Sequence, residues 1–208
     1  MGNNSRHDQP RVRLRTVGTL LVLLLASLQA ASAWAQDKAS ASDVEAAYLI
    51  NFLRYTQWPA SRFASRDAPL VVTVVGPAEA AERVRAVAAA AGPIDGRRVQ
   101  VNSLPASRGS LDAPLGSERD QQAARVLRDS HLVFFLADGD DVHPQVLTDL
   151  WGRPVLTVGH GRAFTRRGGM LGLFRNGERI AFDANAGAIR NAGLVVSAKV
   201  LKLARTTR

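Results

Sequence analysis

What most limits the fold of this chain is a set of short β-branched runs separated by helical patterns. Leu70-Val71-Val72-Thr73-Val74-Val75 ends at Gly76, His131-Leu132-Val133-Phe134-Phe135-Leu136-Ala137 forms a second run, and Pro154-Val155-Leu156-Thr157-Val158-Gly159 a third. Runs of about six apolar residues bounded by turn formers read as strands buried on both faces. Such strands need helices on each side of the sheet. Residues 78–91, rich in Ala with Val84 and Val87 inside, supply one, Gln121 to Asp129 another, and Asp140 or Asp141 caps a helix running to about Trp151. Arg97 to Leu104 alternates around Val99 and Val101 and adds a strand. The alternation predicts an α/β fold, a mainly parallel sheet sandwiched by helices.

The flanks depart from that rhythm. Ser42-Asp43-Val44-Glu45 has the spacing of a capping box, with Ser42 capping the first N–H groups and Glu45 reaching back. The helix it opens carries Val44, Ala47, Tyr48, Asn51, Phe52, Tyr55 and Trp58 at helical spacing, up to Pro59. Near the other end, Met170 to Phe174 and Arg179 to Asp183 flank Asn176-Gly177, a strong hairpin signal. A two-residue loop there sets Arg175 against Glu178, Leu173 against Ile180 and Leu171 against Phe182. Ala186 to Ala192 forms a short helix, and Ser197 caps a final one with Val200, Leu201 and Ala204 inward. Between strand and helix, residues 103–120 hold two Pro, two Gly and four Ser and read as a flexible loop.

The first 35 residues read as a cleavable secretory signal. Arg6, Arg11, Arg13 and Arg15 precede an apolar run from Val17 to Leu28, and Ala33-Trp34-Ala35 places small residues at a cleavage site. The run is short of the ~20 residues a membrane span needs. The expected product is a periplasmic protein of one domain, residues 36–208. Removing four Arg and one Asp lowers the formal charge from +9 to +6. Export argues against nucleic acid as a partner, and the mature arginines are dispersed. The chain has no cysteine, which excludes disulfides, thiolate metal sites and cysteine nucleophiles.

Candidate chemistry gathers at strand ends. Asp138, Asp140, Asp141 and His143 follow one buried strand, a place for a hard cation or simply a capped and solvated loop. His160, in Gly159-His160-Gly161-Arg162, ends the next. Arg166-Arg167-Gly168-Gly169 offers backbone N–H groups and charge to an anion, or a turn before the hairpin. No HExxH, GxSxG, P-loop or dinucleotide fingerprint occurs, so neither catalysis nor a resident metal or cofactor is expected. Asp138, His160, Arg166 and Arg167 make the candidate ligand pocket.

Several segments together resemble the family of YfiR-type periplasmic repressors. They are Ala46 to Phe52 through Trp58-Pro59, Arg153 to Gly159, Phe164 with Gly168-Gly169-Met170, then Phe174, Gly177, Ile180, Phe182 and Asn185, and finally Ala192-Gly193-Leu194 with Ser197 to Ala204. The resemblance implies a secreted α/β homodimer that binds the periplasmic sensor domain of an inner-membrane diguanylate cyclase and holds it off. Cyclic di-GMP, and with it biofilm formation, would fall. In one branch an outer-membrane lipoprotein sequesters the repressor and disulfides tie it to redox state, a mechanism closed to this cysteine-free chain. His160 stands where the family often has Asp or Ser.

A compact exported domain without a catalytic constellation fits a binding role. The hairpin and its flanks, Phe174, Arg175, Glu178 and Arg179, are the expected partner surface, with Phe174 on the face opposite Leu171 and Leu173 as an aromatic anchor. The alternative from another class is a periplasmic small-molecule sensor with no cyclase partner. A metal-dependent hydrolase is the third reading, and no motif supports it.

Overall fold

The computed structural model describes residues 41–106, 118–138, 142 and 144–207. The segment read as a secretory signal, Asp140, Asp141, His143 and the Asp138 side chain lie outside the described residues. Helix α1 (residues 41–54) leads into β1 (Thr56–Gln57) and a 3-10 turn (Ala60–Arg62). Next come β2 (Leu70–Val75), α2 (Ala78–Ala91), β3 (Val99–Leu104), α3 (Glu118–Asp129), β4 (Leu132–Asp138), α4 (Pro144–Leu150) and β5 (Leu156–His160). The chain closes with α5 (Arg162–Arg166), β6 (Leu171–Asn176), β7 (Arg179–Ala184), α6 (Ala186–Asn191), β8 (Val195–Val196) and α7 (Ala198–Leu201).

Six strands form one sheet in the order β3-β2-β4-β5-β6-β7, parallel except for the β6–β7 hairpin. From β2 the chain moves outward to β3 and then returns across β2 to β4. The direction of travel therefore reverses between β2 and β4, and in open α/β sheets that reversal opens a crevice at the carboxyl ends of the strands.

Alternation along β4 shows why both faces must be covered. Leu132 and Phe134 join a core built with Leu49, Phe52 and Leu53 of α1 and with Ala81, Val84 and Ala88 of α2. Val133 and Phe135 point the other way, onto Leu127 of α3, Leu147 and Leu150 of α4 and Phe164 of α5. Phe164 is fully buried because two glycines make room for it: a Cβ on Gly159 or Gly169 would lie 2.5 or 2.2 Å from its ring.

Four local expectations are corrected. The first helix ends at residue 54 instead of running to Trp58, because Thr56 and Gln57 pair antiparallel with Val196 and Val195. Ser197 N–H donates to the Tyr55 carbonyl at 2.9 Å and draws the chain into that ladder. Second, the capping box does not form: Ser42 already lies within the helix, and Glu45 turns to His160. Third, the expected loop 103–120 is shorter at both ends, since Ser103 and Leu104 belong to β3 and residues 118–120 to α3.

Fourth, the hairpin is slipped by two residues. Asn176 pairs with Arg179, Arg175 with Ile180 and Leu173 with Phe182, so the loop is Gly177-Glu178 and Arg175 does not face Glu178. Gly177 carries the positive φ, +65°, that the first loop position of such a turn requires. A slip of two leaves every side chain on its expected face, so the apolar pattern cannot distinguish the registers.

The outer edge of β7 is closed by the chain's own end. Ala184 N–H donates to the Thr206 carbonyl and Arg205 N–H to the Phe182 carbonyl, each at 2.9 Å. Tyr48 Oη donates to the Ile180 carbonyl at 3.0 Å. An exposed edge is thereby removed as a template for pairing.

Candidate functional site

The crevice at the β2/β4 reversal is built from the first turns of α1 and α2 over the end of β4. Ser42, Glu45 and Ala46 line one wall, Pro77, Glu79, Ala80, Arg83 and Val84 the other, with Phe134 and Leu136 as floor and a volume of about 210 Å³. Gly76 follows β2 so closely against Leu136 that a Cβ there would lie 3.0 Å from it. A side chain there would have to push Leu136 aside by a few tenths of an ångström.

Two contacts tie α1 across the strand ends. Glu45 Oε1 lies 3.3 Å from His160 Nε2, both side chains being about four-fifths buried, and the His160 ring meets Phe134 edge-on at 5.4 Å. Arg83 of α2 donates to Asp43 Oδ1 at 3.2 Å and bridges the rim. The Glu45–His160 contact is an ion pair only when the imidazole is protonated. A carboxylate beside an imidazole can hold or pass a proton, and the cleft is small for an ordinary ligand site.

Of the residues expected in a ligand pocket, the structure brings two together and separates two. Asp138 and His160 are partners across the β4–β5 ladder. Arg166 and Arg167 lie at the amino end of β6, the opposite end of the sheet; Arg166 is exposed and Arg167 closes α5 through its N–H. Gly168, with φ +101°, packs beside Trp151, and Gly169 makes room for Phe164. Both glycines therefore have a role in turn geometry and packing. Among the described residues no group of three or more His, Cys, Asp or Glu is arranged to hold a metal ion.

At the hairpin, Arg175, Glu178 and Arg179 are exposed at the tip. Phe174 is half-buried, and the Arg162 guanidinium lies over its ring at 4.3 Å. The Arg162 Nε is 3.9 Å from Asp183 Oδ2, and the other Asp183 oxygen is buried without a hydrogen-bond partner.

Sequence reasoning missed the most perturbed group. His131, at the amino end of β4, is 4% exposed, stacked on Phe63 at 4.8 Å and met edge-on by Trp58 at 5.8 Å. Its Nδ1 accepts from Val71 N–H at 3.0 Å, which fixes the neutral ring with hydrogen on Nε2. Burial, then the nearby Arg62 and Arg97 guanidiniums, hold its pKa down at about 4. Trp58 Nε1 donates to the His131 carbonyl at 3.1 Å. The available signal was Trp58 and Phe63 flanking Pro59 ahead of a strand that opens on a histidine.

A family profile described as YfiR/HmsC-like matches residues 42–205. The chain belongs to the YfiR/HmsC-like family. The family is one of periplasmic regulators associated with cyclic di-GMP signalling. Among the described residues of this YfiR/HmsC-like protein, no helix is long and apolar enough to cross a membrane.

Solved structures share less with it. A conserved domain protein from Vibrio cholerae O1 biovar El Tor strain N16961 aligns with TM-score 0.49 and 15% identity, over 66% of this chain and 54% of its own. The ABC domain in complex with L-Trp from Streptococcus pneumoniae aligns with TM-score 0.49 and 11% identity, over 67% of this chain and 55% of its own. The YfiR/HmsC-like chain thus matches about half the length of each.

Proposed function

We propose that this protein is exported by a cleaved leader of residues 1–35 and represses an inner-membrane diguanylate cyclase by binding its periplasmic sensor domain. The observation that carries the reading is the family match across 42–205, nearly the whole domain. Repression works by population shift: the regulator must bind one conformation of the sensor domain more tightly than the other. A homodimer is the proposed active form, and an outer-membrane lipoprotein its proposed antagonist. With no cysteine, that antagonism runs without disulfide exchange.

The proposed cyclase-facing surface is the hairpin tip with Arg175, Glu178 and Arg179, projecting from the sheet. Phe174 contributes as the support that holds Arg162. Deleting the gene should raise intracellular cyclic di-GMP, and only a copy carrying residues 1–35 should restore it. An unchanged level, or rescue by the leaderless copy, sinks the reading.

A second reading is favoured by the cleft at the strand reversal, the usual ligand position in such sheets. On it, the protein is a periplasmic small-molecule sensor with Glu45 and His160 at the site. A ligand that raises the melting temperature of the native protein but not of His160→Ala would select it.

A further inference from the structure

The two ends of the sheet differ in charge. The segments leading into β2, β3, β4, β5 and β6 (residues 55–69, 92–98, 128–131, 149–155 and 166–170) contain eight Arg and four Asp, 8 − 4 = +4. Arg66, Arg98, Arg153 and Arg166 are exposed there, while Arg62 and Arg97 turn their guanidiniums onto the carbonyls of Arg128 and Ser130 and of Ser65 and Ala68. At the other end Asp43, Glu45, Glu79 and Glu178 stand against Arg83, Arg162, Arg175 and Arg179, 4 − 4 = 0.

The same amino end carries exposed aromatic and apolar surface. Trp151 is 54% exposed, Tyr55 43% and Val195 61%, three of the five large apolar side chains that stand out from the described residues. They share one end of the fold: Trp151 opens the turn between α4 and β5, the Tyr55 carbonyl accepts from Ser197 beside β8, and Val195 pairs with Gln57. Trp58, half-buried, holds its indole N–H on the His131 carbonyl at this end. Gly152 and Gly193 abut Asn191 and Pro59, which joins the Trp151 turn to the Trp58 segment.

Indole and phenol rings interleaved with guanidiniums are the chemistry of a membrane–water boundary. The rings sit at headgroup depth and the cations meet anionic headgroups. The charge is spread over the turns of one whole end, which suits an extended anionic sheet better than a single acidic side chain in a pocket. We propose that the amino end of the sheet, centred on Trp151, docks reversibly on an anionic phospholipid surface. The association is weak, since one indole and a few guanidiniums supply less than the two anchoring signals stable attachment takes. It would confine the protein to the bilayer surface and leave the hairpin tip, at the other end of the sheet, facing away from the lipid.

This inference stands apart from the cyclase reading and is tested without it. The probe is co-sedimentation of residues 36–208 with phosphatidylglycerol/phosphatidylcholine vesicles and with pure phosphatidylcholine vesicles. Binding is expected to the anionic vesicles alone, with a blue shift of tryptophan emission and loss of binding at high salt. Trp151→Ala should remove most of the blue shift, and Trp151→Ala and Arg166→Glu should each weaken binding several-fold with melting temperature unchanged. Equal binding to neutral vesicles, no binding, or full binding by both variants overturns the proposal. So does a variant that changes oligomeric state while wild type ignores vesicles, which would make this face an interface between copies.

Discussion

His131 and His160 mark opposite ends of neighbouring strands, and the fold treats them in opposite ways. His131 is sealed between Phe63 and Trp58 with two arginines nearby and kept neutral. His160, about four-fifths buried, sits against the carboxylate of Glu45 on α1, and Glu45 lines the cleft at that end. One end of the sheet excludes a proton from its histidine, while the other sets a carboxylate to receive an imidazolium. The same side chain thus serves as packing at the amino end and as an adjustable tether at the carboxyl end.

The largest expected effect comes from emptying the amino-end site. His131→Ala removes a buried ring stacked on Phe63 and met edge-on by Trp58, and leaves Val71 N–H without its acceptor. Lost packing and an orphaned donor together cost about 3 kcal/mol, roughly 10 °C in melting temperature for a domain of this size. A drop of only a degree or two in thermal unfolding would show that the pocket collapses and that the contrast between the ends is overstated.

The next effect is in pH. His131 has a folded-state pKa of about 4 against an ordinary value of 6.5, so the unfolded chain binds the proton more readily. Stability is full above 6.5, falls as pH drops from 6.5 towards 4, and loses nothing more from this group below 4. The loss is roughly 2 to 3 kcal/mol. Denaturant unfolding at pH 7 and pH 4.5 measures it, and the difference should shrink by most of that amount in His131→Gln. An undiminished pH dependence in the variant would move its origin elsewhere.

The strand–helix alternation was legible because burial on both faces leaves a continuous apolar run, and the helices between them leave a helical period. Less was legible where several partners compete for one residue. Glu45 has capping-box spacing, yet its carboxylate is taken by His160, which is 115 residues distant in the chain. The hairpin was visible and its register was not, since a two-residue slip preserves which side chains face inward. β1 and β8 are two residues each, too short to show a period, and exist through pairing between distant segments. His131 looked like the first residue of a strand; only the return of Trp58 and Phe63 over it makes it special. The sequence groups Arg166 and Arg167 with His160, but the crossover through α5 carries them to the other end of the sheet.

At the carboxyl end the effects should be small. Glu45→Gln removes the charge facing His160 in a partly solvated pair and costs about 0.5 to 1 kcal/mol. Thermal melts of Glu45→Gln, His160→Ala and the double variant test whether the two side chains act together; additive losses in the double variant would break the tether.

Asp43→Ala should do least. Its bridge to Arg83 joins two exposed side chains, 58% and 36% accessible, so solvent already satisfies both charges. Melting temperature should move by no more than about 1 °C at moderate salt. A larger shift would mean that the rim bridge, and not the Glu45–His160 contact, fixes α1 over the cleft.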